Sequence, residues 1–285
     1  MEDATRSAVN RVPPADAAIA TLWATAYSVA QFEGARRKFY LIQDFEPMFY
    51  PAGTLYALAE ESYRLGLYGL CNTEHMRALY AERYGGQAMS FQPAIDPSVF
   101  HANGRIYERT LDQVATVFVY ARPGHWRNCW ELASLALEEL KERLGDRVRI
   151  LTAGSWARPD DLGSGIEHLG LLDYRATGNL YRTVDVGVAL TVSEHPSYLP
   201  LELMACGVPV VAFDNPAGHW LLRDGRNCLL ARQTVDALSA AIERVVVDPE
   251  LGRALMREGI QDIAEGYSSW EKSFSGIYPY LCEPG

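Results

Sequence analysis

The sequence predicts an α/β protein of two Rossmann-type, doubly wound lobes, the first cut short. Two observations carry this. Short apolar runs alternate with longer helical patterns in two separate series, and a proline-containing stretch without periodicity, SFQPAIDPSVFH (90–101), lies between them. The first series reads AAIATLWAT, RKFYLIQDF, the helix-like TLYALAEESYRLG, and LYGLCNT running into EHMRALYAERYG. The second opens with VATVFVYARP, a strand too apolar to face water, as expected of a parallel strand covered on both faces. It continues through the helix ELASLALEELKERLG, the strand VRILTAGSW, a short EHLGLL, the strand VDVGVAL and the strand VPVVAF.

Only about two or three strand candidates precede Pro93, whereas a doubly wound domain has about five or six. Either the opening of that domain lies outside this sequence or residues 1–98 form a reduced lobe. The expected organisation is a partial first lobe at 1–98 and a ligand-binding domain at 99–265. The aromatic segment SSWEKSFSGIYPYL, within 266–285, is expected to be a closing helix packed across both lobes.

The totals narrow the function. A chain of 285 residues, 48% hydrophobic, is long enough for one large or two ordinary domains. Its five cysteines are odd in number, lack CxxC spacing and mostly lie in apolar runs, which favours buried thiols and a reducing compartment. The opening MEDATRSAVNRVPPAD is acidic and proline-containing where a signal peptide needs an apolar core, and no stretch approaches the roughly 20 apolar residues of a membrane helix. A cytoplasmic protein is the expectation. A net charge of −10 argues against a nucleic-acid partner, so any bound phosphate must be met by local arginines and backbone amides.

The strongest signal is TVSEHPSYLPLELMACGVPVVAFD. A strand ends near Val192, a loop follows, and a helix starting near Pro200 runs to Gly207 before Pro209 opens the next strand. Glu194 and Glu202 thus flank a helix N-terminus. First-turn amides accept a phosphate there, while nearby carboxylates accept hydrogen bonds from sugar hydroxyls. Read singly, Glu202 is equally a favourable first-turn acid and Glu194 a solvated loop charge. In FVYARPGHWRNCWELASLALEEL, Arg122 ends a strand and Arg127 stands just before a helix, which the Asn128–Glu131 capping-box pattern starts at about Cys129. Two cations at such a loop can neutralise a diphosphate leaving group, or be solvated charge. Gln43, Asp44 and Glu46 follow another strand directly, where they either face a ligand crevice or cap a turn before Pro47. His168 reads as a satisfied structural histidine.

The run Glu194, Glu202, Ala205, Gly207, Pro209, Val210 and Val211 resembles the E-x7-E signature of retaining, family-4 glycosyltransferases of the GT-B fold. The resemblance implies that Glu194 contacts the donor sugar and Glu202 the ribose. It also implies that amides around Ser197, Tyr198 and Leu199 meet the diphosphate and that backbone near Leu171 faces the nucleobase. Where the family often has Gly-Leu-Pro, this loop has Ser-Tyr-Leu-Pro. Arg122 and Arg127 correspond to the family's diphosphate-holding basic pair, the second of which is often Lys. YLIQDFEPMFYP, with its neighbouring segments, resembles the bacterial rhamnosyltransferases of the WsaF type over about residues 17–280, with Gln43 where many relatives have His and without their glycine-rich opening loop.

The implied activity is retaining transfer of a sugar, rhamnose from dTDP-rhamnose in particular, to a glycan acceptor. Glu194, Arg122 and Arg127 would act at the reacting centre. Glu202, Ser197, Tyr198, Leu199 and Leu171 would bind the donor, and Gln43, Asp44 and Glu46 would stand on the acceptor side. No metal or other cofactor is expected, since no DxD motif ends a strand. A lipid-linked acceptor would bring the protein to the inner membrane face without a membrane span. The alternative is a non-catalytic sugar-nucleotide or glycan-binding module. A Rossmann-type epimerase or dehydrogenase is disfavoured because no G-x-G-x-x-G follows an early strand.

Overall fold

A computed structural model of the chain describes residue 9 and residues 11–105, 109–158, 161–195 and 197–284. Residues 1–8 and 10 of the polar opening lie outside them. The chain forms two compact units: Met1–Pro93 with Ser193–His195 and Glu271–Gly285, and Ala94–Val192 with Pro196–Trp270.

The first unit is a parallel sheet built from β1 (Ala15–Ala20), α1 (Trp23–Gln31), β2 (Ala35–Ile42), α2 (Thr54–Glu61), β3 (Tyr68–Cys71), α3 (Glu74–Tyr84) and β4 (Ala88–Ser90), in strand order β1-β2-β3-β4. The fourth strand exceeds the two or three expected, because Ala-Met-Ser is too short for any period to show. An order that runs one way with right-handed crossovers puts the connecting helices on one face, as in one half of a doubly wound sheet. Side chains of β2 alternate accordingly. Tyr40 and Ile42 enter a core with Ala26, Tyr63, Met76 and Tyr80, while Phe39 meets Tyr68 and Tyr280 instead. Thr73 caps α3 by accepting from the Met76 amide, and Gly85, at φ 68°, ends it in the left-handed region that glycine tolerates.

The second unit contains β5 (Ala115–Tyr120), α4 (Trp130–Leu144), β6 (Val148–Ala153), β7 (Ile166–His168), α5 (Tyr174–Tyr181), β8 (Val186–Ala189), α6 (Leu199–Ala205), β9 (Val210–Phe213), β10 (Cys228–Ala231), α7 (Val235–Val247) and α8 (Pro249–Gly266). Its parallel sheet runs β10-β9-β8-β5-β6-β7, which is the order 3-2-1-4-5-6 of a doubly wound nucleotide-binding sheet read from the other edge. Both faces are buried. In β5, Ala115, Val117 and Val119 enter the core under α4 and α7, and Phe118 enters the opposite core with α5 and α6.

The closing segment is two short helices rather than one, α9 (Trp270–Phe274) and α10 (Ile277–Cys282). Within the first unit, Tyr280 of α10 lies 5.9 Å from Phe39 and 6.5 Å from Tyr68, ring to ring, and so covers the sheet face that α1 and α3 leave open. Among the described residues no helix is long and apolar enough to cross a membrane, and the described cysteines are all free thiols, three of them buried.

Candidate active site

In the second unit the strand order reverses between β5 and β8, and ligands of doubly wound sheets bind outside the carboxyl ends of the strands at such a point. The chain leaves β5 through Ala121 and Arg122, turns at Gly124 (φ 79°), and forms a short 3-10 turn, Trp126–Asn128. The expected capping box is not formed. Asn128 closes the 3-10 turn, Cys129 takes the left-handed conformation (φ 51°) as N-cap without a side-chain bond, and α4 begins at Trp130. The turn brings Arg122 and Arg127 near enough to His125 for both charges to act on its ring. The His125 amide donates to the Arg122 carbonyl at 3.1 Å, and desolvation together with the Arg122 and Arg127 charges holds the His125 imidazole below its usual pKa. The Arg127 carbonyl in turn accepts from the Val192 amide at 3.4 Å, which ties this loop to the one leaving β8. Tyr120, Asn128, Val188, Leu190, Ser197 and Leu199 line a cavity of about 20 Å³ here, room for roughly one water.

Ser197 adopts φ 73°, in the left-handed region, and its hydroxyl accepts from the Leu199 amide at 3.3 Å. Tyr198 is the N-cap residue of α6, and its ring packs on Trp270 with centroids 6.0 Å apart and a tilt of 46°. α6 has only seven residues and carries Pro200 in its first turn. Glu202 lies in its first turn, where a carboxylate is favoured, yet burial wins and pushes its pKa up to about 7. Burial, with the nearby Glu202 carboxylate as a second cause, raises the phenol pKa values of Tyr174 and Tyr181 in α5, the helix that follows Leu171. Leu171 itself is half exposed, and the loop before it is held by a bond from the Gly154 amide to the Gly170 carbonyl. His168 is satisfied, as its sequence context indicates: Nδ1 bonds Thr152 Oγ1 at 2.8 Å and Nε2 the Ser155 carbonyl at 3.1 Å.

In the first unit, Gln43 is exposed and its carbonyl accepts from Asn72 Nδ2 at 2.8 Å. Its neighbours are interior groups. Glu46 is 4% exposed, and its Oε2 accepts from the Trp23 amide at 2.6 Å, capping the start of α1 from a distance. Asp44 is 8% exposed; its Oδ1 accepts from the Phe45 amide and its Oδ2 from Ser193 Oγ, 2.9 Å away. Tyr63 threads this turn, donating to the Asp44 carbonyl and accepting from the Glu46 amide. Glu194 belongs to this unit, and its Oε2 stands 2.7 Å from Nε2 of His75. Sequence reasoning passed over His75 and Ser193. The available signal for His75 was its place in the first turn of the helix that follows β3 by a two-residue loop, near the carboxyl end of a parallel strand.

Residues 3–70 match the N-terminal domain of WsaF and residues 115–243 its C-terminal domain, in that order. Over 276 residues, 96% of this chain, the sequence is 39% identical to the O-antigen biosynthesis protein RfbC of Myxococcus xanthus. The chain spans about a fifth (21%) of that protein's length. Sucrose-phosphate synthase of Thermosynechococcus elongatus superimposes with a TM-score of 0.76 over 95% of this chain and 74% of its own, at 17% identity. Anabaena HepE, in a complex with UDP and glucose, does so with a TM-score of 0.73 over 99% and 80%, at 14% identity. The two lobes therefore have the GT-B fold.

Proposed function

We propose that this chain, which carries both WsaF-type domains, is a retaining glycosyltransferase that moves a sugar, rhamnose first among the candidates, from a nucleoside diphosphate to a glycan acceptor. The observation that carries the reading is the loop after β5, which sets Arg122 and Arg127 about His125 at the point where the second sheet reverses. A leaving nucleoside diphosphate gains negative charge as the bond from its oxygen to the anomeric carbon breaks. Two guanidinium groups beside the leaving group would stabilise that charge more in the transition state than in the ground state.

In this scheme the acceptor oxygen bonds the anomeric carbon on the face the leaving group vacates. Its proton passes to the departing phosphate oxygen, so no metal and no protein base is required. Glu202, beside Tyr174 and Tyr181, receives the ribose hydroxyls near the base-binding backbone at Leu171, and Glu194 receives the donor sugar. The name of one relative, an O-antigen biosynthesis protein, supports a glycan product, and a fold neighbour solved with UDP and glucose supports a nucleoside diphosphate donor. A lipid-linked acceptor would place the reaction at the inner membrane face.

A thermal-shift screen across UDP, dTDP, GDP and their sugars, followed by transfer assays with the best donor, tests the reading. Ligands that bind only the native state raise its melting temperature. A flat response to every nucleoside diphosphate would defeat it, and stabilisation without turnover would leave a binding module.

A further inference from the structure

We propose that His75 is a positioning residue that aims the Glu194 carboxylate, an inference that rests on Glu194 meeting the donor sugar. Glu194 lies in Ser193–His195, which is part of the first unit, and two side chains of that unit hold the stretch at adjacent residues. Asp44 is buried and already fixed through Oδ1 by the Phe45 amide, and its Oδ2 takes the Ser193 hydroxyl. That bond anchors the segment. His75 then contacts the functional group itself, Nε2 to Oε2 at 2.7 Å.

The backbone that carries the imidazole is fixed. His75 is the second residue of α3, whose first turn is fixed by Thr73 Oγ1 accepting from the Met76 amide at 3.1 Å. The other carboxylate of that turn, Glu74, is taken up by Arg77 and by Ser90 Oγ, so it does not compete for the ring. Toward Glu194, His75 acts as a donor through Nε2, because an ionised carboxylate only accepts. The Glu194 side chain stays one-third exposed, at 33%, so it can take a further donor such as a sugar hydroxyl. A carboxylate on a loop, left alone, samples several rotamers. One charge-assisted bond selects the rotamer, and misplacement by about 1 Å can cost on the order of a hundredfold in rate.

The test compares the full chain with His75→Ala, His75→Gln and Glu194→Ala. Calorimetry with UDP, UDP-glucose, dTDP and dTDP-rhamnose reports binding, and release of the nucleoside diphosphate from the donor that binds reports turnover. His75→Ala is expected to lower kcat about tenfold and to erase most of the affinity difference between sugar-bearing and free nucleotide, with free-nucleotide Kd within about twofold of wild type. His75→Gln, whose Nε2 replaces the ring donor, should recover most of the loss. A merely structural role would lower free-nucleotide binding and melting temperature together and would not be rescued by Gln. If wild type turns over a donor but His75→Ala matches it, or Gln is no better than Ala, the inference is overturned while the glycosyltransferase reading stands. Failure of wild type to bind any of these four, or GDP and its sugars, would remove that reading and this inference with it.

Discussion

The backbone of α5 at Gly178 packs so closely on the Val99 carbonyl that a Cβ there would stand 2.3 Å from its oxygen. Gly178 thus lets the segment after Pro93 lie flat on the second unit. Arg182 donates to the Val99 and His101 carbonyls at 3.0 and 3.3 Å, and Arg105 donates to the carbonyls of Tyr181, Arg182 and Val184 at the end of α5. Gly178→Ala should destabilise the protein by about 2–4 kcal/mol, since backbone, not a flexible side chain, blocks the new methyl. Urea unfolding measures this, and an unchanged midpoint would mean that the segment shifts freely.

That segment is also where the sequence was least legible. SFQPAIDPSVFH lacks periodicity and carries two prolines, so it reads as a linker, yet Ala94, Ile95, Val99 and Phe100 are buried and Phe100 packs on Tyr174 and Tyr181. Its backbone bonds reach distant partners, the Val99 and His101 carbonyls accepting from Arg182 and the Ile95 amide donating to the Tyr267 carbonyl, which no local pattern reveals. Strands such as β5 were plain, because a parallel strand buried on both faces is apolar throughout. The position of Arg122 and Arg127 between β5 and α4 was legible from the strand and helix patterns around them, whereas the surroundings of Asp44 and Glu46 were ambiguous for a physical reason. A carboxylate ending a strand looks the same in sequence whether it faces a ligand or, like Glu46, caps a helix that starts 23 residues earlier.

Arg122→Ala and Arg127→Ala should each weaken nucleoside diphosphate binding about tenfold or more while leaving nucleoside binding nearly intact, since a charge-assisted contact contributes about 1.5–3 kcal/mol. Calorimetry with the diphosphate and the bare nucleoside separates the two. Equal diphosphate affinities in wild type and both variants would make these arginines ordinary surface charge.

The same pair is readable through His125. Its pKa is lowered in the fold by desolvation and by the two arginines, so protonating it opposes folding, and its contribution to stability falls as pH drops through the ordinary histidine range. Removing either arginine, or adding a nucleoside diphosphate whose charge offsets theirs, should move the His125 midpoint upward. NMR titration of the ring follows it directly. A midpoint that ignores the ligand would place the diphosphate elsewhere.

Glu202 sets stability against binding. Burial raises its pKa to about 7 from the unfolded 4.5, so between these values the folded chain holds a proton that the unfolded chain has released. Its contribution is therefore favourable at low pH and is lost as pH rises through about 7, where the charge must be kept in an apolar setting. Glu202→Gln keeps the shape and removes the charge, so it should be more stable than wild type at pH 8, by on the order of 1–3 kcal/mol at about 1.4 kcal/mol per pK unit. That advantage should shrink toward pH 5. Ribose binding needs the opposite state, because an ionised carboxylate accepts two hydroxyl donors where the amide offers a single acceptor oxygen. Relative to Glu202→Gln, the wild type should therefore gain nucleotide affinity as pH rises through about 7, with the His125-linked pH dependence common to both proteins. Melting temperatures and calorimetric affinities of both proteins at pH 5.5, 7 and 8 check the two halves together. A stability difference that stays constant with pH would mean that Glu202 is solvated in the free protein, and an affinity unchanged in Glu202→Gln would remove it from the ribose site.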